Sequence, residues 1–467
     1  MSGEPASAGL FDRALRRLAD VWRDVAGGAA DGAEPIEAQM RACLEGRGGE
    51  VSARARAARL AGTYLAADAA GRAAFFRTLA SFDSDPAAVD AAYAAVREAP
   101  DAAARAAAKA RLRRVLEPPR LRLLSQFTTL PDGMKFLVDF RAALRAARGD
   151  DPTLAALESD FRSLLANWFD VGFLELRRID WSSPASLLEK FVGYEAVHEI
   201  RSWRDLKNRL DSDRRCYAFF HPRMPGEPLI FVEIALVAGL ADSVQRLLDP
   251  KAPLTDPHQA DTAIFYSISN CQDGLVGISF GNFLIKRVVE ELSSEFRNLK
   301  RFATLSPMPG FRAWLGERIL AREAALLGDE EAASLAALAP AEARHDRFAA
   351  FAALLARPAV AREGRVWRAL APVLLRLAAR YLLAESAPRD PRRARDPVAH
   401  FHLANGARVE RINPLADISE RGVRESVSLM VNYLYDPARI EAFHEEYAGA
   451  GRRNAASAVR RLVRSAG

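Results

Sequence analysis

A chain of 467 residues, 50% of them hydrophobic, can bury two ordinary cores and is too apolar to be a disordered tail. Its 66 basic and 60 acidic residues leave a formal charge of +6, too small and too well mixed to imply a nucleic-acid partner. From three cysteines, Cys43, Cys216 and Cys271, without CxxC spacing, neither a disulfide framework nor a zinc knuckle follows, and no apolar run reaches the roughly 18 to 20 residues of a membrane span.

The chain opens with FDRALRRLADVWRDV, an Arg-rich helical pattern. Glu4, Asp12, Asp20 and Asp24 argue against a transit peptide, and no apolar h-region marks a signal sequence, so the expected location is cytoplasmic. From about residue 8 to 180, Ala, Leu and Arg dominate with apolar positions at helical spacing, as in AGRAAFFRTLASF and MKFLVDFRAALRAA. Breaks at Gly27-Gly28, Gly48-Gly49, Asp85-Pro86, Pro118-Pro119, Gly149-Asp150 and Ser183-Pro184 divide it into antiparallel helices, with hardly a strand among them. This predicts a helical bundle over 1–182. Its Leu and Ala stripes exceed what one bundle buries, so it is expected to join subunits into a homo-oligomer, a tetramer.

After Pro184 β-branched and aromatic runs appear: CYAFFHP, PLIFVEIALV, TAIFYSISNC and FATLSP. The helical pattern GNFLIKRVVEELSSEF lies between the last two. Strands mixed with helices predict an α+β chain whose second domain covers 183–467. An Ala-rich helical insertion at about 310–387 interrupts that domain, and PRDPRRARDP reads as its exit linker.

Three places could carry chemistry. In QDGLVGISFGN, Gly274, Gly277 and Gly281 let backbone amides approach a ligand ahead of a helix start, a plausible pyrophosphate cradle that is neither a Walker A loop nor a dinucleotide fingerprint. In FATLSPMPGF, Pro307 restrains Ser306 to an extended strand end and fixes its hydroxyl, without the G-x-S-x-G of a nucleophile elbow. The stretch DPVAHFHLANGA reads as a strand, with His400 and His402 on one face and Asn405-Gly406 as a hairpin turn. No third ligand stands at metal spacing, so these imidazoles read as acid/base or hydrogen-bonding groups, with no metal expected.

FHPRMPGEPLIFVEIAL, AIFYSISNCQDGLVGISFGNFLIKRVVEEL, FATLSPMPGF, DPVAHFHLANGA and RINPLADISERGVRESVSLMVNYLYD together closely resemble the malonyl-CoA decarboxylase family, in its motif order from about Arg201 onward. The resemblance implies an amino-terminal helical domain followed by a mixed-sheet catalytic domain like that of the GCN5-related N-acetyltransferases. It also implies that the substrate is malonyl-CoA. Ser306 and His402 fall on the family's catalytic serine and histidine, and Tyr435 in NYLYD on an active-site tyrosine. Gly274, Gly277, Ile278, Ser279, Phe280, Gly281 and Asn282 fall on its coenzyme A segment, where some relatives carry an acidic residue in place of Ser279. Others can have Asn where this chain has His400. The ending RSAG differs from the family's peroxisomal tripeptide, which fits the cytoplasmic expectation.

Loss of CO2 from a malonyl thioester leaves an enolate, so the site must stabilise charge on the thioester oxygen and protonate the α-carbon. The thioester is itself the electron sink, and neither metal nor organic cofactor is expected. An acyl-CoA-dependent N-acyltransferase is the alternative that the fold resemblance alone would suggest; a non-catalytic coenzyme A-binding scaffold and a Ser/His hydrolase stand behind it.

Overall fold

The computed structural model describes residues 20–22, 24–26, 34–46, 48–278, 281–357 and 360–464. Most of the opening helical pattern, with Ser279 and Phe280 of the Gly-rich loop, lies outside the described residues. The chain forms two compact units. One comprises residues 1–175 with 220–229 and 270–279; the other comprises 176–219, 230–269 and 280–467.

The first unit is helical: α1 (Ile36–Leu44), α2 (Glu50–Ala66), α3 (Ala69–Ser81), α4 (Pro86–Arg97), α5 (Ala102–Leu116), α6 (Pro119–Phe127), α7 (Gly133–Ala147) and α8 (Pro152–Trp168). Several starts are written in the sequence as Asp followed by Pro. The Asp85 carboxylate accepts from the Ala87 N–H, and Asp151 accepts from those of Thr153 and Leu154, while Pro86 and Pro152 occupy the first helical position. The core is aromatic. Tyr64, Phe75, Phe76, Phe136, Phe140 and Phe161 are buried and meet largely edge-on, with centroids from 4.7 Å for Tyr64–Phe140 to 6.0 Å for Phe140–Phe161.

Buried Arg141 of α7 pairs with Glu158 at 2.6 Å and also donates to the carbonyls of Gly274 (2.6 Å) and Val276 (3.1 Å). A Cβ at Gly274 would stand 1.7 Å from the Val138 carbonyl oxygen, so close backbone packing requires glycine there.

The second unit is built on a mixed sheet. Its strands are β1 (Glu175–Ile179), β2 (Arg214–Phe220), β3 (Pro228–Val237), β4 (Thr262–Asn270), β5 (Arg301–Thr304), β6 (Ser306–Pro307), β9 (Arg408–Asn413) and β10 (Met430–Tyr435). Among the described residues they run β1-β2-β3-β4-β5-β10-β6, with β9 also paired to β10. β5 lies parallel to β4, whereas β10 is antiparallel to β5, β6 and β9. Strand β1, ELRRI, falls where the sequence reads as helix. At the sheet edge it pairs with β2 and buries only Ile179 fully, so its charged composition stays solvated.

Around the sheet lie α9 (Ala185–Tyr194), α10 (Trp203–Arg209), α11 (Val244–Leu247) and α12 (Gly281–Glu295). The segment after β6 folds as α13 (Phe311–Leu320), α14 (Asp329–Ala336), α15 (Arg347–Leu355) and α16 (Gly364–Leu383). The stretch expected to be an exit linker forms β8 (Asp390–Ala394), paired to β7 (Ser386–Ala387) just before it, where Arg453 donates to the Ser386 hydroxyl at 2.6 Å.

The main correction concerns DPVAHFHLANGA. It forms helix α17 (Pro397–Ala404), not a strand. Asp396 caps it, accepting from the Val398 and Ala399 N–H groups, Pro397 sits at the first position, and Gly406 follows its end with φ +79°. These start and stop signals outweigh the β-favouring aromatic and Val residues between them. At 100° per residue, His400 and His402 point to nearly opposite faces of the helix and not to one face. Helices α18 (Glu420–Ser426), α19 (Ile440–Ala450) and α20 (Ser457–Arg464) complete the unit. Among the described residues no helix is long and apolar enough to cross a membrane.

A Cβ at Gly406 would stand 2.1 Å from the Ile440 carbonyl oxygen, on a backbone that already disfavours L side chains. Gly406→Ala should therefore cost about 2 kcal/mol or more of stability, read as a fall in the midpoint of thermal or urea unfolding.

Candidate active site

β5 and β6 meet β10 in one register, interrupted only at Leu305: Phe302 faces Tyr435, Ala303 faces Leu434, Ser306 faces Val431 and Pro307 faces Met430. Period-two alternation therefore puts Thr304 and Ser306 on the same sheet face as Tyr433 and Tyr435. The opposite face carries Ala303, Leu305 and Met430, which join Ile264 and Tyr266 in a buried apolar cluster.

Helix α17 lays His402 across the face that carries Ser306. Its Nε2 lies 3.0 Å from the Ser306 hydroxyl and its Nδ1 lies 2.7 Å from the Tyr435 hydroxyl. The ring stacks on Tyr433 at 4.5 Å between centroids and 25° between planes. Ser306 donates to the Thr304 hydroxyl at 2.9 Å, and that hydroxyl also accepts the Tyr433 N–H at 3.1 Å. All five side chains are buried. The three residues predicted for catalysis thus stand in one line, Ser306 to His402 to Tyr435, although 129 positions separate the first from the last.

The electrostatics fix the direction of this line. Burial pushes the His402 imidazole down to about 3, so the ring is neutral at physiological pH, and burial holds the Tyr435 phenol well above its usual range. A neutral ring carries one N–H; with that proton on Nε2, Nδ1 accepts from the protonated Tyr435. Ser306 commits its own proton to Thr304 and so accepts from Nε2. The polarity runs Tyr435 → His402 → Ser306 → Thr304. A hydrolytic serine–histidine pair needs the reverse, with Nε2 accepting the serine proton.

His400 belongs elsewhere. Its Nδ1 meets the Tyr447 hydroxyl at 2.8 Å, and that hydroxyl accepts from the Ala394 N–H at 2.8 Å. Burial, assisted by Arg393, lowers its pKa. Of the predicted coenzyme A residues, Gly274, Gly277 and Ile278 group with the helical unit, Gly277 at φ +82°, whereas Gly281 and Asn282 open α12 in the other.

Thr304, Tyr433 and Asp396 escape sequence reasoning. Counting back two from Ser306 and from Tyr435 finds the first two, and the Asp-Pro helix start finds the third.

Family profiles match most of the chain: one described as the malonyl-CoA decarboxylase C-terminal domain over residues 172–467, and one as the malonyl-CoA decarboxylase N-terminal domain over 82–169. The mitochondrial malonyl-CoA decarboxylase of Anser anser anser is 38% identical over 335 residues, 70% of this chain and 66% of its own length, so the chain spans just under two thirds of that relative. The crystal structure of malonyl-CoA decarboxylase from Rhodopseudomonas palustris superposes with a TM-score of 0.81 at 43% identity, covering 91% of this chain and 98% of that one. The Agrobacterium vitis malonyl-CoA decarboxylase structure gives a TM-score of 0.82 at 40% identity, over 91% and 99%.

The sign of the His402 shift sets a pH dependence. Unfolded, the ring titrates near 6.5; folded, it resists protonation to about 3, so the stability it contributes is complete above pH 6.5 and is lost as the pH falls towards 3. Nitrogen-15 NMR of histidine-labelled protein should show His402 neutral and protonated on Nε2 at pH 5, and His402→Asn should flatten the acid limb of the stability curve.

Proposed function

This chain belongs to the malonyl-CoA decarboxylase family and is a carboxy-lyase, and we propose that it converts malonyl-CoA to acetyl-CoA and CO2 through a thioester enolate at the Ser306–His402–Tyr435 line. The observation behind this mechanism is the buried, neutral His402 held between two hydroxyls.

In the proposed path the bond between the malonyl carboxylate and the α-carbon breaks, CO2 leaves, and the electron pair enters the thioester carbonyl as an enolate. A dry site lined with preset donors favours that charge over the substrate's own. Ser306 and the Nε2–H of His402 are the proposed donors, and a serine hydroxyl can turn from Thr304 to a substrate oxygen at little cost. The enolate carbon is basic enough to take a proton from a neutral donor. It takes the one on Nε2 while Tyr435 passes one to Nδ1 and regains one from solvent in the same transfer, so that no buried phenolate is left. The imidazole never has to become a buried cation, which burial disfavours.

No metal or organic cofactor is needed in this reading, because the thioester accepts the electrons. The first turn of α12, at Gly281 and Asn282, is proposed to take the coenzyme A diphosphate, since a helix start offers unpaired N–H groups and a positive dipole. We read the sheet as related to that of the GCN5-related N-acetyltransferases, the helical region as the subunit contact of a homotetramer, and the location as cytoplasmic.

Purified protein should release CO2 from malonyl-CoA without any amine acceptor and unaffected by EDTA, giving singly deuterated acetyl-CoA in D2O. Ser306→Ala and His402→Asn should each lower kcat by roughly 10² to 10⁴, with the double variant scarcely worse than the poorer single. His400→Asn should stay within about tenfold of the parent. Malonate as product, or activity that EDTA removes and zinc restores, would refute the scheme. Light scattering at micromolar concentration should give a tetramer mass, and a monomer would refute the assembly.

A further inference from the structure

Asp396 is fully buried, with 0% of its surface exposed. Among the described residues no Lys, Arg or His forms a salt bridge with it. A carboxylate in such a place is costly unless neutral donors satisfy it, and a helix cap alone would need only a Ser, Thr or Asn. The donors come from two helices, and a third segment packs against them. From α17, the Val398 and Ala399 N–H groups reach Oδ1 at 3.0 and 2.9 Å. From α16, the Tyr381 hydroxyl reaches Oδ2 at 3.2 Å. The turn that follows Ser306 comes against the same carboxylate at Gly310.

The fit around Gly310 is tight. A Cβ there would stand 2.3 Å from the Tyr381 hydroxyl and 3.8 Å from Asp396 Oδ2. Tyr381 is itself buried and packs on Phe311 and Trp314, at 5.6 and 5.3 Å between centroids, in the helix that Gly310 begins. One carboxylate therefore ties the turn carrying Ser306, four residues upstream of Gly310, to the start of the helix carrying His402, six residues downstream of Asp396. The Ser306–His402 bond joins those same two segments further along.

We propose that Asp396 is a positioning residue: with Tyr381 it clamps the Ser306 turn to helix α17 and so sets the separation and angle between the Ser306 hydroxyl and His402 Nε2. It touches no reacting atom. A misplacement of about 1 Å between cooperating groups can lower a rate by about 10²-fold, so the clamp acts on kcat and not on substrate affinity. The inference rests on the proposed roles of Ser306 and His402.

The test uses steady-state kinetics with malonyl-CoA on the full chain. Asp396→Ser keeps a capping oxygen for α17 but is too short to reach Tyr381 and Gly310; it should lower kcat about 10 to 100-fold with KM within about threefold. Tyr381→Phe removes only the hydroxyl and should lower kcat about 3 to 10-fold, and it carries the test alone should Asp396→Ser not fold. A purely structural role would multiply with any other loss. A clamp acting through the pair predicts that either change costs less than about twofold once Ser306→Ala is present. Gly310→Ala should be damaging in the parent and close to neutral beside Tyr381→Phe, where the nearest remaining ring atom would be 3.6 Å away. Folded Asp396 and Tyr381 variants with parental kcat, or losses that multiply in full with Ser306→Ala, would overturn the clamp. A harmless Ser306→Ala would instead overturn the catalytic reading on which it rests.

Discussion

The second unit is organised by one constraint: an imidazole has to be fully buried and still hydrogen-bonded at both nitrogens. A buried polar group without partners costs on the order of 1–3 kcal/mol, so each ring nitrogen dictates where a hydroxyl must stand. Tyr435 and Ser306 meet that demand from β10 and β6, which are neighbours only because β10 runs antiparallel across both pieces of the broken strand. The sheet's strand order brings together groups that the sequence keeps far apart. Tyr433 then fills the space beneath the ring with an aromatic face, which excludes water and keeps the imidazole neutral.

That neutrality distinguishes the arrangement from other uses of serine and histidine. A histidine titrating near 6.5 would switch charge within the physiological range; this one, pushed down to about 3 by burial, stays neutral across it. The neighbouring hydroxyls are held close by, because Thr304 receives the serine proton on one side and the Tyr433 amide on the other. Such preset donors need little reorganisation when negative charge appears beside them, which is the main electrostatic advantage of an enzyme interior over water.

Much of this was legible before any coordinates. The helix-rich first part, the four long apolar strands and the helix after the Gly-rich loop follow from periodicity and from Asp-Pro and Gly punctuation, which act locally. Two misreadings share a cause. In DPVAHFHLANGA the Val, Phe and His residues favour a strand, but eight residues bounded by an Asp-Pro start and a Gly stop make two turns of helix. In ELRRI the charges suggest a helix, but pairing to β2 at an exposed edge decides the outcome. Of the site itself, Ser306, His402 and Tyr435 were legible through their motifs. Thr304, Tyr433 and Asp396 take their places beside them through register and burial, which no single motif records.

The helical unit is discontinuous: the chain passes between the two units five times, at 175/176, 219/220, 229/230, 269/270 and 279/280. The boundary between the two family profiles, near residue 170, is therefore not a seam at which the protein comes apart. Recombination there with a distant relative would deliver a helical unit whose Arg141 met foreign carbonyls in place of those of Gly274 and Val276. A swap there therefore separates α7 from the carbonyls that its Arg141 and Arg145 hold.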